Sequence, residues 1–307
     1  MITRFFKQSK PIVYVILGFL LSLFYVVKVI QLDIIALEWL DIILIVSKLL
    51  SLLICFSVFS WALKYFELQK YHSYGALFFV LFSSFFMPEI LQTHLIFGLL
   101  FLEFGLVRLL AVVKTANPTL NIFEATLLIV ISGLLYEPFM YLILLILVGV
   151  LIFLSPQWRF FVAPILAISA VVVLVQMYHL VWFDKVVYFD FFMPKPKLSF
   201  NFNFSNYTVL KALVWLPSEL ICIYEIIRVK QKKALYFKEM ATFFLSFLGF
   251  SLIAFGLTNT TLSELWALSL WPLSIYIADF FSNLKSRLWR EVMFWSFVVL
   301  AFANVFS

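Results

Sequence analysis

From Phe160 to Phe183 the chain carries no formally charged residue, and stretches of this kind recur along the whole sequence. A water-soluble fold cannot hide so many of them, because its wetted surface ordinarily makes about a quarter of the residues charged. Here 12% of residues are charged and 65% are hydrophobic. Lipid is the solvent that suits such a chain. It reads as an all-α, polytopic bundle of transmembrane helices.

Apolar runs bounded by charge, proline or polar clusters give about eleven spans. They lie at 11–32, 42–63, 75–87, 95–113, 123–136, 139–155, 160–182, 207–227, 241–257, 266–282 and 292–306. The runs at 75–87 and 123–136 are shorter than the ~20 residues a perpendicular helix needs. Each is either a half-helix or takes in flanking residues. No polar stretch is long enough for a soluble domain, so residues 1–307 read as one integral membrane domain. The opening MITRFFKQSKPIVYVILGFLLSLFYVV starts basic like a signal peptide. Its apolar run is too long and lacks a small-residue cleavage site, which makes it a retained first span. Cys55 and Cys222 fall inside apolar runs and read as buried structural thiols.

Placing the N-terminus in the cytoplasm and alternating sides leaves only Lys185, Lys195 and Lys197 on the outside among the loop cations. This is the asymmetry of the positive-inside rule, and it puts the C-terminus in the periplasm of a bacterial inner membrane. The net charge of +6 therefore anchors topology and does not point to nucleic acid. The basic loop from Arg228 to Glu239 is the strongest such anchor. The outward segment 184–206 ends in Leu198-Ser-Phe-Asn-Phe-Asn-Phe-Ser205, where apolar and polar residues alternate. That period of two is a strand signal. Residues 198–205 either offer an edge to a protein partner or form a loop whose phenylalanines dip into the headgroups.

Charges inside apolar spans cost roughly 2.5–3.5 kcal/mol each at a helix centre, so they need partners or a function. Lys28, Glu124, Lys211, Glu225 and Asp279 lie near expected span ends and can snorkel. Lys48, Glu103 and Glu219 sit deeper. Glu103 and Arg108 share a helix at a spacing of five, which does not put them on one face, so each is expected to face another helix. Glu219 follows Pro217, which frees a backbone carbonyl one turn earlier and can kink that helix. The Glu219 helix then either lines a polar cavity or is pinned to a neighbour by a hydrogen bond. The first outer loop, LDIIALEWLD, carries Asp33, Glu38 and Asp41 without a base, and Glu89, His94, Glu137, His179 and Glu264 lie near the same face. Clustered carboxylates serve as a general base, or hold a divalent cation with His94 or His179; solvated loop acids are the plainer alternative. At the opposite face Arg108, Lys114, Asn117, Pro118 and Glu124 crowd one turn. There Asn121 or Glu124 can cap the following helix, and the cations can hold a lipid phosphate.

The stretches MITRFFKQSKPI, ANPTLNIFEATLLIVISGLLYEPFMYLIL and LSELWALSLWPLSIYIADFF resemble a family of uncharacterised inner-membrane proteins of Bacteroidota, over most of the chain. That resemblance brings no activity with it. In architecture the chain is also similar to multi-span glycosyltransferases and polymerases that use polyprenyl-phosphate-linked sugars. That similarity implies an outward site in which Asp33, Glu38 or Asp41 acts as base on the acceptor, and Lys28, Lys195, Lys197 or Lys211 holds the donor phosphate. The chain departs from the pattern in lacking a paired-acid motif in the first loop and in having few outer arginines. Three function classes stay open. One is this cell-envelope enzyme, one a non-enzymatic subunit of an envelope, secretion or motility complex, and one a transporter built on Lys48, Glu103 and Glu219.

Overall fold

The computed structural model describes residues 6, 9–31, 39–69, 71–184, 206–232, 234–258, 262–284 and 286–306. Among these, the regular elements are all helices. In chain order they are α1 (Pro11–Gln31), α2 (Trp39–Tyr65), α3 (Tyr74–Phe85), α4 (Met87–Ile90), α5 (Thr93–Ala111) and α6 (Pro118–Leu135). A 3-10 segment (Glu137–Ile143) follows, then α7 (Leu144–Phe153), α8 (Trp158–Phe183), α9 (Asn206–Lys232), α10 (Leu235–Leu257), α11 (Leu262–Asn283) and α12 (Arg287–Phe306). Six of them, α1, α2, α5, α6, α8 and α10, are long and apolar enough to cross a membrane. The chain is a membrane protein on that ground. Of the two short runs, 123–136 recruits the residues from Pro118 onward, whereas 75–87 stays a 12-residue helix.

The chain divides into two compact units. The first comprises Met1–Ile96, Phe202–Ala241 and Leu262–Ser307. Its centre is α3, YGALFFVLFSSF, and all 12 of its residues are buried. A helix that is apolar on every side has to be surrounded by protein or lipid, and here α1, α2, α11 and α12 pack around it. Protein on all sides explains why so short a helix suffices. Helices in lipid gain no hydrophobic drive to associate, so close packing and hydrogen bonds have to hold them. The phenylalanines supply the packing. Phe59 stacks on Phe79 at 4.6 Å and meets Trp271 edge-on at 5.2 Å. Phe78 lies 5.5 Å from both Phe281 and Phe297. Such pairs contribute roughly 0.5–1.5 kcal/mol each beyond the area they bury. Hydrogen bonds add staples: the Tyr25 hydroxyl of α1 donates to the Ile45 carbonyl of α2 at 2.8 Å.

The second unit comprises Phe97–Asn201 and Thr242–Thr261. Pro118 opens α6 at a position where its missing N–H costs nothing. The caps expected there have other partners. Asn121 donates its amide to the Thr115 hydroxyl, and Glu124 pairs with Arg108 of α5 at 3.1 Å. Arg108 thus faces another helix, as its spacing from Glu103 requires.

At the other end of α6 the chain reverses at the extended Tyr136, and Pro138 starts the 3-10 segment. So tight a reversal brings that segment's backbone onto Gly133. A Cβ at Gly133 would stand 2.8 Å from Met140 Cα and 2.9 Å from its backbone nitrogen. Gly133→Ala is therefore expected to destabilise the protein by about 1–3 kcal/mol, because backbone has to move to admit the methyl group. At Gly249 nothing lies within 4 Å of the same probe position, so Gly249→Ala should be neutral or gain up to ~1 kcal/mol from helix propensity. Thermal unfolding of both variants in detergent checks the contrast. Equal melting temperatures would refute it.

Candidate functional site

The described residues among those singled out from the sequence fall on several helices. Asp33, Glu38, Lys195, Lys197 and the strand-like 198–205 lie outside the described residues. Asp41 is exposed in the first turn of α2, where a carboxylate also complements the positive helix end. Lys28 is 9% exposed in the last turn of α1, so it is tucked against the protein and does not snorkel outward. Lys48 is half-buried on α2. Lys211 belongs to the opening turns of α9. Glu103 is fully buried in α5. Among the described residues no group of three or more His, Cys, Asp or Glu side chains is arranged to hold a metal ion.

Glu219 is different, because it belongs to a constellation. It is the fourteenth of the 27 residues of α9, which puts it at the helix midpoint. Its carboxylate lies beside the Ser269 hydroxyl and the Trp215 indole, close enough to interact with both, and that indole N–H donates to Ser269 Oγ at 3.2 Å. The contact continues along both helices. On α9, Trp215, Glu219, Cys222 and Glu225 recur at intervals of three or four and share one face, and Arg228 follows one turn after Glu225. On α11 the matching face is Ser269, Pro272, Tyr276, Asp279 and Asn283, at the same intervals. The two helices pack against each other in the first unit.

The contacts run in order along the seam. Cys222 is fully buried, and its thiol donates to the Pro272 carbonyl at 3.5 Å. Tyr276 lies within electrostatic reach of both Cys222 and Asp279. At the far end Glu225, itself fully buried, accepts from Arg228 Nη1 at 2.9 and 3.2 Å and from the Asn283 amide at 3.0 Å. Arg228 and Asn283 neutralise and satisfy Glu225, as a buried carboxylate requires. Both helices are also interrupted by a proline, Pro217 in α9 and Pro272 in α11. Each proline removes an N–H and frees the carbonyl four residues earlier. The seam thus strings together carboxylates, hydroxyls, a thiol and main-chain oxygens between two helices that cannot be fully regular.

Chemically, such a file can accept, hold and release protons, and the Ser269, Cys222 and Tyr276 groups can each donate and accept. From the sequence, Glu225 and Asp279 read as residues that snorkel from span ends. They are instead 0% and 7% exposed, and Glu225 is held inside the packed pair by the Asn283 amide of α11. No curated protein and no solved structure matches the chain. A family model does, over residues 1–306, and the chain belongs to that family, a family of unknown function (DUF6427).

Proposed function

We propose that the chain is a multi-pass protein of a bacterial inner membrane that conducts protons along the α9–α11 seam, with Glu219 as the group that takes and gives the proton. One observation carries this reading: ionisable and hydroxyl-bearing side chains line up on the facing sides of two proline-interrupted helices, with a carboxylate at the midpoint of one of them. Ionisable groups at membrane depth are costly and mark ion or proton pathways. Here α9, at 27 residues, is about 40 Å long and exceeds the ~30 Å hydrocarbon core. Glu225, already paired with Arg228 and Asn283, anchors the end of the file. The test is proton uptake into proteoliposomes containing the purified chain and a pH-sensitive dye, driven by a potassium diffusion potential. Uptake well above that of empty vesicles is expected. Uptake equal to theirs overturns the reading.

A second reading is the enzyme acting on polyprenyl-phosphate-linked sugar, and it draws support from Asp41, a carboxylate exposed in the first turn of α2. Asp33, Glu38 and Asp41 would supply the base, with any divalent cation held among them, and Lys28, Lys195, Lys197 and Lys211 would supply the phosphate contacts. On this reading Glu38→Gln and Asp41→Asn each abolish complementation of a deletion strain while expression stays normal. Full complementation by both variants excludes it.

A further inference from the structure

In the second unit, α6 and α8 diverge at their N-terminal ends to leave a groove of about 450 Å³. Its wall is apolar, formed by Phe123 of α6 and by Val162, Ala163 and Leu166 of α8. At its mouth stand Thr119 from the first turn of α6, and Trp158 and Arg159 from the first turn of α8. Both helices therefore present their N-termini to the same opening, and neither cap residue, Asn117 or Gln157, makes a side-chain capping bond. The first N–H groups of each helix and the positive end of each dipole face the mouth. The Arg159 side chain is exposed and lies 5.8 Å over the Trp158 ring. No acidic residue lines the groove, and nearby Glu124 is paired with Arg108.

We infer that this groove binds one anionic phospholipid, with an acyl chain along Phe123, Ala163 and Leu166 and the phosphate at Arg159 and the two helix N-termini. Two observations favour lipid over a polypeptide. Both α6 and α8 are among the helices apolar enough to cross a membrane. The groove also runs without a polar border onto exposed apolar surface, with Ile165 at 65% and Leu120 at 55%. The mouth sets the chemistry of the head. Arginine and helix N-termini recognise a phosphate oxyanion, and a neighbouring tryptophan suits the depth of the headgroups. A zwitterionic headgroup offers the same phosphate but brings a cation against Arg159.

The experiment is native mass spectrometry of the delipidated full chain with equimolar phosphatidylglycerol and phosphatidylcholine of identical acyl chains. The wild type is expected to retain phosphatidylglycerol about tenfold more strongly, the scale of one charge-assisted contact. Arg159→Gln, a change at an exposed side chain, should bring the two lipids level. Val162→Phe, which fills the groove, should weaken both, with an unchanged melting temperature showing that the bundle is intact. Equal retention of the two lipids by the wild type overturns the proposal. So does an Arg159→Gln variant that still prefers phosphatidylglycerol, or a stoichiometric polypeptide held in place of lipid.

Discussion

Glu219→Gln is expected to lower proton uptake in proteoliposomes by roughly a hundredfold or more, the usual loss when a group that gives and takes a proton is removed. The substitution is chosen for what it preserves. A glutamine side chain keeps the size and a polar oxygen beside Ser269 and Trp215, and the Trp215–Ser269 bond across α9 and α11 is untouched, so the melting temperature should move little. Only the ability to carry a proton is lost. Glu219→Asp keeps that ability on a shorter arm and should restore part of the flux. Glu225→Gln makes a different contrast. It removes the buried charge that Arg228 approaches at 2.9 Å, and breaking a pair with a buried member is destabilising, tempered here because water reaches the Arg228 side chain, which is 35% exposed. It should therefore lower the melting temperature and the yield of folded protein. Flux that is unchanged in Glu219→Gln would show that this carboxylate only fastens the two helices, and the conduction reading would fall with it.

Much of the secondary structure is legible in the sequence, because lipid imposes a length and a composition on whatever lies in it. The apolar run at 160–182 becomes the helix Trp158–Phe183, and that at 241–257 sits inside Leu235–Leu257. Boundaries fail where charge ends an apolar run but not the helix. At the end of α9 the residues Arg228 to Lys232 continue the helix past the expected limit, and Glu225 is buried by packing against α11, where Asn283 bonds it. The 3-10 segment Glu137–Ile143 escapes a hydropathy reading altogether, since nothing in EPFMYLI distinguishes it from an α-helical turn. Pro217 and Glu219 stand out on their own. The rest of the seam does not, because Cys222, Ser269 and Tyr276 are unremarkable residues in apolar runs, and which two helices face one another is not a local property. The available signal was the shared spacing of three and four through 215–228 and 269–283, each stretch interrupted by a proline.

The largest stability effect is expected at the turn between α2 and α3, where a single side chain ties three elements of the first unit together. Gln69 is 2% exposed. Its carbonyl oxygen accepts from the Gly75 backbone N–H at 2.8 Å, and its amide donates to the Ile275 carbonyl of α11 at 2.9 Å. The turn that delivers it, Phe66 to Gln69, includes Glu67 in a left-handed conformation at φ 56, which only an over-determined turn holds in a non-glycine residue. Gly75 leaves no room for more than a hydrogen: a Cβ there would overlap Gln69 Oε1 and stand 2.8 Å from Leu63 Cδ1. Gly75→Val therefore forces Gln69 out, loses both hydrogen bonds and crowds the start of α3, the helix around which this unit packs. Overpacking at about 1–3 kcal/mol and an unsatisfied buried amide at about 1–3 kcal/mol together predict a loss of about 2–6 kcal/mol. The mechanism has a signature that crowding alone lacks. In a Gln69→Ala background the nearer of the two clash partners is gone and the hydrogen bonds are already lost, so Gly75→Val should cost well under what it costs in the wild type. Denaturation midpoints of the two single variants and the double variant in detergent measure that coupling. Strictly additive losses would mean that Gln69 does not link the turn to α3 and α11, and that the crowding at Gly75 is relieved by Leu63 alone.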